Sequence, residues 1–233
     1  IYMNKKLSII IPCYNEENTI AQIIQKIIEV VNFPYEIIVV DDCSTDKTRF
    51  ILENELKSNI DKLILNPINS GKGYSLRRGI KEATGEIILI QDADLEYDPS
   101  DYKKLIDPIN NGHADVVYGS RFAGTEQKRV LYFWHMIGNK FLTILSNMFT
   151  NLNLTDMEVG YKVFKSDVLK KINLQEDRFG FEPEITAKIA RENLRIYEVG
   201  ITYHGRKYSE GKKITWRDGF SAIRCIILYS FIK

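Results

Sequence analysis

Short apolar runs alternate with amphipathic stretches along the first half of the chain. The apolar runs are KLSIIIP (6–12), YEIIVVDD (35–42), DKLILN (61–66), EIILIQDAD (86–94) and ADVVYGS (114–120). Runs this uniformly apolar are typical of strands buried on both faces of a sheet. Between residues 16 and 31 the apolar positions recur at helical spacing instead, which predicts an amphipathic helix. Strands that alternate with helices predict an α/β fold with a mixed, mainly parallel sheet flanked by helices.

The second half of the chain has a different pattern and ends in a predicted amphipathic helix. A mostly apolar helix is predicted over 133–149, strands over 156–164 and 194–204, and a helix over 183–192. From Trp216 onward one helical face carries Phe220, Ile223, Ile227 and Phe231. No linker or internal repeat interrupts the chain, so we expect one domain over 1–213 and an amphipathic helix over 214–233.

Composition excludes several classes of protein. The 233 residues carry 32 Lys and Arg against 31 Asp and Glu, a net charge of +1, so we expect no nucleic-acid partner. The three cysteines are too few and too scattered for a disulfide framework or a zinc site, which favours a reducing cytoplasm. No apolar stretch reaches the roughly 20 residues of a spanning helix, so we expect a chain that crosses no membrane.

Polar or glycine-rich sequence follows each of the first five predicted strands. These segments are PCYNEEN (12–18), DDCST (41–45), NPINSGKG (66–73), DADLEYD (92–98) and GSRF (119–122). Ligands of parallel α/β sheets collect at the carboxyl ends of the strands, where such segments meet. The pattern therefore predicts an active site along one edge of the sheet.

Two acidic pairs stand out at these strand ends. Asp92 and Asp94 leave an apolar strand with alternate spacing and could share one hard divalent cation, whereas an alternative interpretation is a capped turn. Asp41 or Asp42 could accept hydrogen bonds from a nucleobase or a ribose, with the same alternative. Lys72 lies between two glycines in a loop that suits close approach of the backbone to a ligand.

Together these motifs resemble the family 2 inverting glycosyltransferases of the GT-A fold. The motifs are SIIIPCYNEENTI, EIIVVDDCSTDKT, NSGKGYSLRRGI, GEIILIQDADLEYDP and VVYGSRF, followed by TDMEVGYKVF, GFEPEITAKI and GKKITWRDG. Within the family they are most similar to the dolichol-phosphate mannosyltransferase-like group, which includes polyprenyl-phosphate glycosyltransferases.

The resemblance implies a role for each matching residue. On the donor side it implies nucleotide-sugar contacts from Pro12, Tyr14, Asn15, Glu16, Asp41, Asp42, Lys72 and Asp92. It implies that Asp92 and Asp94 bind Mg²⁺ or Mn²⁺. Glu96 stands where relatives often have Gln and is a candidate third carboxylate ligand.

On the acceptor side the resemblance implies phosphate binding by Arg121, Arg129, Arg206 and Lys213. Asp94 and Arg121 then act in catalysis together with the acidic residues Asp156 and Glu184. One of these two acids would act as a base if the acceptor were a hydroxyl. Alternatively, Arg121 pairs with a strand-end carboxylate and Glu184 interacts with a helix dipole.

We therefore expect inverting transfer of a sugar from GDP-mannose or a UDP-hexose to a polyprenyl phosphate. Five basic residues and one acidic residue between Tyr203 and Arg217 give that segment a charge of +4. Beside the C-terminal helix, this charge predicts peripheral binding to the cytoplasmic face of a membrane. The alternatives are a helix packed on the domain or on a second subunit, a saccharide hydroxyl as acceptor, and a catalytically silent subunit that binds a sugar nucleotide.

Overall fold

The computed structural model describes residues 5–124, 127–130, 132–207 and 216–231, of which 216 and 217 are described by their backbone alone. Within these ranges seven strands form one sheet. They are β1 (Leu7–Cys13), β2 (Tyr35–Asp41), β3 (Lys62–Leu65), β4 (Ile87–Ile90), β5 (Val116–Ser120), β6 (Lys162–Lys165) and β7 (Ile196–Gly200). Their order across the sheet is β3-β2-β1-β4-β6-β5-β7. The predicted α/β fold is confirmed.

Strand β6 runs antiparallel to both of its neighbours, whereas the other adjacent strands are parallel. Its first residue, Lys162, pairs with Ile90 at the end of β4 and with Tyr118 of β5. The segment that leads into β6 therefore arrives at the edge where β4 and β5 end. The predicted row of five strand ends is thus interrupted by the start of a sixth strand, which brings residues of its own to that edge.

Eight α-helical segments flank the sheet in the described ranges. They are α1 (Ile20–Val30), α2 (Thr48–Phe50), α3 (Lys72–Glu82), α4 (Tyr102–Asn110), α5 (Phe133–Thr150), α6 (Ser166–Leu169), α7 (Phe181–Ile189) and α8 (Trp216–Phe231). Helix α1 begins four residues later than the pattern predicts. The backbone N–H of Ile20 donates to the carbonyl of Glu16 at 3.0 Å, and the Thr19 hydroxyl donates to the Glu16 carboxylate at 2.8 Å. These bonds hold residues 16–19 in a turn that precedes the helix.

The two faces of α8 have opposite environments. Ala222, Cys225, Ile226 and Tyr229 are buried, and the Lys188 ammonium of α7 lies 4.8 Å from the centre of the Tyr229 ring. Phe220, Ile227 and Phe231, which belong to the predicted apolar face, are exposed. Packing against the domain and presentation of an apolar face therefore occur together, on opposite sides of one helix.

Helix α5 presents a second exposed apolar face beside α8. Its exposed side chains include Trp134, Phe141, Ile144 and Met148, and Phe149 stacks edge-on against Phe231 of α8 at 5.7 Å. In the part of the chain that the structure describes, no helix combines the length and the apolar character needed to cross a bilayer.

Candidate active site

A cavity of about 1160 Å³ opens at the edge of the sheet where the parallel strands end. Its polar lining comes from the loops after β1, β2, β3, β4 and β5 and from the segment that leads into β6. It extends between α5 and α8, where Trp134, Phe141 and Phe220 are part of its lining. One continuous space therefore joins the polar strand ends to the exposed apolar helices.

The loop after β1 forms one wall of the cavity and is tied to the loop after β2. Pro12, Tyr14 and Glu16 line the space, whereas the Asn15 side chain turns to the backbone N–H of Thr45 at 2.8 Å. The backbone N–H of Glu16 donates to the Thr48 hydroxyl at 2.8 Å. These bonds fix the wall that the sequence predicts to contact the nucleotide.

The two aspartates at the end of β2 have different surroundings. Asp41 is fully buried and binds the Arg49 guanidinium at 2.8 Å, so it supports the fold of the loop. Asp42 lines the cavity, and its carboxylate accepts the backbone N–H of Ser70 at 2.9 Å and of Gly71 at 2.7 Å. Of the pair, only Asp42 reaches the predicted nucleotide site.

Lys72 begins α3 and joins two carboxylates across the cavity floor. Its ammonium lies 2.8 Å from Asp92 Oδ1 and 3.0 Å from Glu182 Oε1. Burial alone would lower the pKa of Lys72, but the charges of Asp92 and Glu182 outweigh it and raise the pKa. Gly71 precedes it with φ of 102°, and a Cβ there would overlap the carbonyl of Asp177. The lysine is therefore a fixed cation beside the predicted metal site.

The predicted metal ligands Asp92 and Asp94 both line the cavity. Burial, and then the charges of Asp92 and Glu96, raise the pKa of Asp94 to about 7. A divalent cation would relieve this crowding of negative charge, and hard carboxylate oxygens are ligands that Mg²⁺ and Mn²⁺ prefer. Asp92 and Asp94 therefore fit the predicted cation.

Glu96 is held away from a three-carboxylate arrangement. It accepts the backbone N–H of Arg206 at 3.0 Å and the Tyr203 hydroxyl at 3.1 Å. Across the described ranges, no three His, Cys, Asp or Glu side chains are placed to hold one ion. In the described structure Glu96 is engaged by these two donors and does not form a three-ligand group with Asp92 and Asp94.

Arg121 follows β5. It pairs with a carboxylate and also lines the cavity, so it is compatible with both predicted roles, the ion pair and acceptor-phosphate binding. Its guanidinium binds Asp156 in bidentate fashion, with Nε 2.6 Å from Oδ2 and Nη2 2.7 Å from Oδ1. Asp156 is fully buried and is not part of the cavity lining, whereas Arg121 is. Asp156 thus orients an arginine that remains available to a ligand in the cavity.

Of the other predicted acceptor-side cations, Arg129 and Arg206 line the same cavity as Arg121. Arg129 lines the cavity and donates to the carbonyl of Gly205 at 3.0 Å. Arg206 contacts carboxylates, with Nη2 2.8 Å from Asp94 Oδ2 and Nη1 3.4 Å from Glu16 Oε2. Lys213 lies outside the described residues.

Glu184 is fully buried and outside the cavity lining. Its carboxylate accepts the backbone N–H groups of Gln175 and Glu176 at 2.7 and 2.8 Å. It also binds the Lys188 ammonium at 2.5 Å. These bonds hold the segment before α7, so in the structure Glu184 supports that segment and does not line the cavity.

Among the acidic residues of the cavity lining that the sequence reasoning missed are Glu158 and Glu182. Burial, followed by the charge of Glu182, raises the pKa of Glu158 to about 8. Glu158 lies in the motif MEVG and Glu182 in the motif FEPE, but FEPE contains a second acid, Glu184. Residues two apart on a helix point in nearly opposite directions, so the position of the first helical turn was needed to choose between them.

The comparison with protein families agrees with this arrangement. The family model described as glycosyl transferase family 2 matches residues 8–173, more than half of the chain. The chain belongs to glycosyl transferase family 2. The family predicted from the motifs is therefore confirmed.

Two curated relatives are similar over most of the chain. A low-salt glycan biosynthesis hexosyltransferase, Agl6 of Haloferax volcanii, is 29% identical over 226 residues, which are 95% of this chain and 53% of that protein. A dolichol-phosphate mannosyltransferase of Pyrococcus furiosus is 29% identical over 211 residues, 89% of this chain and 59% of the relative. The chain thus spans somewhat more than half the length of these relatives.

A solved structure has the same fold. Glucosyl-3-phosphoglycerate synthase from Mycobacterium tuberculosis, in complex with Mn²⁺, UDP and phosphoglyceric acid, superposes with a TM-score of 0.77 at 19% identity. The match covers 99% of this chain and 80% of the other. It confirms the predicted GT-A type of fold.

Proposed function

We propose that the chain transfers a sugar, with inversion, from a nucleotide-sugar such as GDP-mannose or a UDP-hexose to a polyprenyl phosphate. The observation that carries this proposal is the composition of one cavity. Asp92 and Asp94 are part of its polar floor, the guanidinium of Arg121 enters it after β5, and it continues between the apolar helices α5 and α8. The aspartates, through a metal ion, suit a nucleoside diphosphate. Arg121 suits the phosphate of the acceptor, and the apolar helices suit its isoprenoid chain. The relative named as a dolichol-phosphate mannosyltransferase supports this assignment.

Donor binding in this proposal uses the loops after β1, β2 and β4. The walls formed by Tyr14, Glu16 and Asp42 enclose the nucleotide, and Lys72 supplies a fixed positive charge beside Asp92. Asp92 and Asp94 would hold Mg²⁺ or Mn²⁺, which supplies Lewis-acid stabilisation of the diphosphate leaving group. Asn15 and Asp41 support these loops from behind.

Acceptor binding in this proposal uses Arg121, with Arg129 as a second cation of the same cavity. A phosphate monoester has its second pKa near 6, so at neutral pH the nucleophile is already anionic and needs no base. Asp156 keeps the guanidinium fork in one orientation, which favours bidentate recognition of a phosphate. Arginine then offsets the repulsion between acceptor and donor phosphates.

A hydroxyl acceptor is the second candidate, and it would need a general base. Asp156 and Glu184, the residues predicted for that role, are both buried and engaged in ion pairs. Glu158 is the residue that favours this candidate, because it lines the cavity and its Oε1 is buried without a partner among the described residues. A Glu158→Gln variant that still transfers sugar to a soluble hydroxyl acceptor would exclude this role.

The membrane part of the proposal rests on the apolar faces of α5 and α8. Phe141, Met148 and Phe231 are exposed, although exposure of large apolar groups is costly in water. Insertion of these faces into the cytoplasmic leaflet would cover them and place the cavity mouth at the level of the lipid head groups. The isoprenoid chain would then leave the cavity directly into the bilayer.

The test is incubation with Mn²⁺, a polyprenyl phosphate in liposomes and radiolabelled UDP-glucose or GDP-mannose. We expect label in the lipid phase from one donor, and none with Asp94→Asn or with unphosphorylated polyprenol. Parallel reactions with 3-phosphoglycerate and with soluble saccharides test hydroxyl acceptors. Label that appears only in a soluble product would show that the acceptor assignment is wrong.

A further inference from the structure

Glu182 is a buried carboxylate with one oxygen engaged and one oxygen available. It lies in the first turn of α7, is 4% exposed and lines the cavity. Its Oε1 accepts from the Lys72 ammonium at 3.0 Å, whereas Oε2 is buried with no hydrogen-bond partner among the described residues. A buried charged acceptor without a donor is costly, so this oxygen is suited to receive one from a ligand.

The position of Glu182 places it near the diphosphate and sugar of the donor rather than near its nucleobase. Lys72 bridges Glu182 to Asp92, so the carboxylate lies one side chain away from the predicted diphosphate site. The sugar of a nucleotide-sugar is attached directly to that diphosphate. Glu182 is therefore within the part of the cavity that the sugar would enter.

A second acidic side chain borders the same region. Glu158 lines the cavity, and its Oε1 is also buried without a partner in the described part of the chain. The nearby ammonium of Lys72 is already shared by two carboxylates. The surroundings of the sugar thus contain two buried carboxyl oxygens that lack a partner among the described residues.

We infer that the donor sugar is an uncharged hexose and that Glu182 selects it by accepting a hydrogen bond from one of its hydroxyl groups. This inference rests on the proposed function. A uronic acid is selected against, because its carboxylate would compete with Asp92 and Glu182 for the Lys72 ammonium that these two residues already share. The hydroxyl of a neutral hexose satisfies Oε2 without adding charge.

The first experiment uses the unaltered protein with Mn²⁺ and measures dissociation constants by calorimetry. The ligands are UDP, UDP-glucose, UDP-glucuronate, GDP and GDP-mannose. We expect a neutral nucleotide-sugar to bind more tightly than its own nucleotide, and UDP-glucuronate to bind at least about tenfold more weakly than UDP-glucose. Equal affinity for UDP-glucose and UDP-glucuronate would overturn the inference.

The second experiment measures how much the sugar adds to nucleotide affinity in Glu182→Ala and Glu182→Gln. Loss of a hydrogen bond to a buried charged acceptor should reduce that gain roughly tenfold to a hundredfold in the alanine variant. The glutamine variant keeps a carbonyl acceptor and should discriminate less against UDP-glucuronate. Glu192→Gln, an exposed glutamate just beyond α7, is the matched control and should change neither ratio.

The ratio of the affinity for UDP-glucose to the affinity for UDP separates a role of Glu182 in sugar recognition from a structural role. If Glu182 only positioned Lys72, the variants would weaken UDP and UDP-glucose equally, and that result would overturn the inference while the proposed function stands. If neither UDP nor GDP binds the unaltered protein, the proposed function and the inference are both wrong.

Discussion

Gly160 leaves the space that the carboxylate of Asp92 occupies. A Cβ on Gly160 would overlap Asp92 Oδ2, and the Gly160 N–H donates to the Tyr97 hydroxyl at 3.0 Å, which limits its movement. The glycine thus permits the orientation in which Asp92 faces Lys72.

A Gly160→Ala variant should therefore disturb Asp92 without removing it. We expect at least about a tenfold loss of Mn²⁺ affinity by electron paramagnetic resonance and a similar loss of sugar transfer, with a destabilisation of about 1–3 kcal/mol from overpacking. Asp92→Asn is the comparison, because it removes the charge and keeps the shape. Normal Mn²⁺ affinity in Gly160→Ala would show that Asp92 can reorient freely.

An Arg121→Lys variant should affect the acceptor more than the donor. Lysine keeps the charge but loses the bidentate geometry toward Asp156 and toward a phosphate. We expect the KM for polyprenyl phosphate to rise about tenfold or more, while the KM for the nucleotide-sugar changes several-fold less. Steady-state kinetics with each substrate varied in turn would measure both.

Arg195→Lys is a suitable control for Arg121→Lys. Arg195 also binds one carboxylate through two nitrogens, with Nε 3.0 Å from Asp115 Oδ2 and Nη2 2.8 Å from Oδ1, and it does not line the cavity. This control should leave both KM values unchanged. Equal increases in the two KM values of Arg121→Lys would contradict the assignment of Arg121 to the acceptor.

Stability at low pH should depend on Glu36. Burial would raise its pKa, but hydrogen bonds from Ser8, from Thr84 and then from Lys6 outweigh that effect and lower the pKa from 4.5 to about 2. A depressed carboxyl pKa stabilises the folded state above pH 4.5, and this contribution is lost as the pH falls from about 5 towards 2. It amounts to about 3 kcal/mol at neutral pH.

Chemical denaturation of the unaltered protein and of Glu36→Gln would test this. The variant should be less stable at pH 7 and should lose less free energy of unfolding than the unaltered protein between pH 5 and pH 3. Glu29→Gln, an exposed substitution on α1, should reproduce the original pH dependence. Parallel curves for the original protein and Glu36→Gln would show that other carboxyls dominate acid unfolding.

Membrane binding should depend on the exposed apolar residues of α5. In a triple Phe141→Ser, Ile144→Ser, Met148→Ser variant we expect partition onto anionic liposomes to fall by at least about tenfold, since each side chain contributes roughly 1.5 kcal/mol or more when buried. Flotation would measure the bound fraction. Phe50→Ser with Ile68→Ser removes exposed apolar groups that are 59% and 68% accessible and lie outside the cavity, so binding should be retained.

The fold was predictable because its signals are local. Four of the first five predicted strands are almost entirely buried, and uniformly apolar runs of that kind are short and distinctive. The insertion of β6 between β4 and β5 was not predictable in the same way. It depends on pairing of Ile90 with Lys162, and the local hydrophobic pattern carries no information on partners so far apart in the chain.

The site was predictable to the level of its loops but not of its individual contacts. The strand-end rule located Asp42, Asp92 and Arg121 at one edge. It could not show that Arg206 would bind Asp94, 112 residues away in the chain. The sequence also left open whether α8 packs on the domain, because apolar residues occur on both of its faces, Cys225 and Ile226 on the buried one and Phe220 and Phe231 on the exposed one.

The short connection between α5 and β6 supplies three functions within five residues. Asp156 orients Arg121, Glu158 borders the proposed sugar compartment, and Gly160 adjoins Asp92. Its ends are fixed by the Asn147 side chain, which binds the backbone of Leu154, and by the entry into β6. Deletion or insertion of a single residue here would shift all three contacts at once. The protein should therefore tolerate changes in the length of this connection far less well than substitutions at any one of its positions.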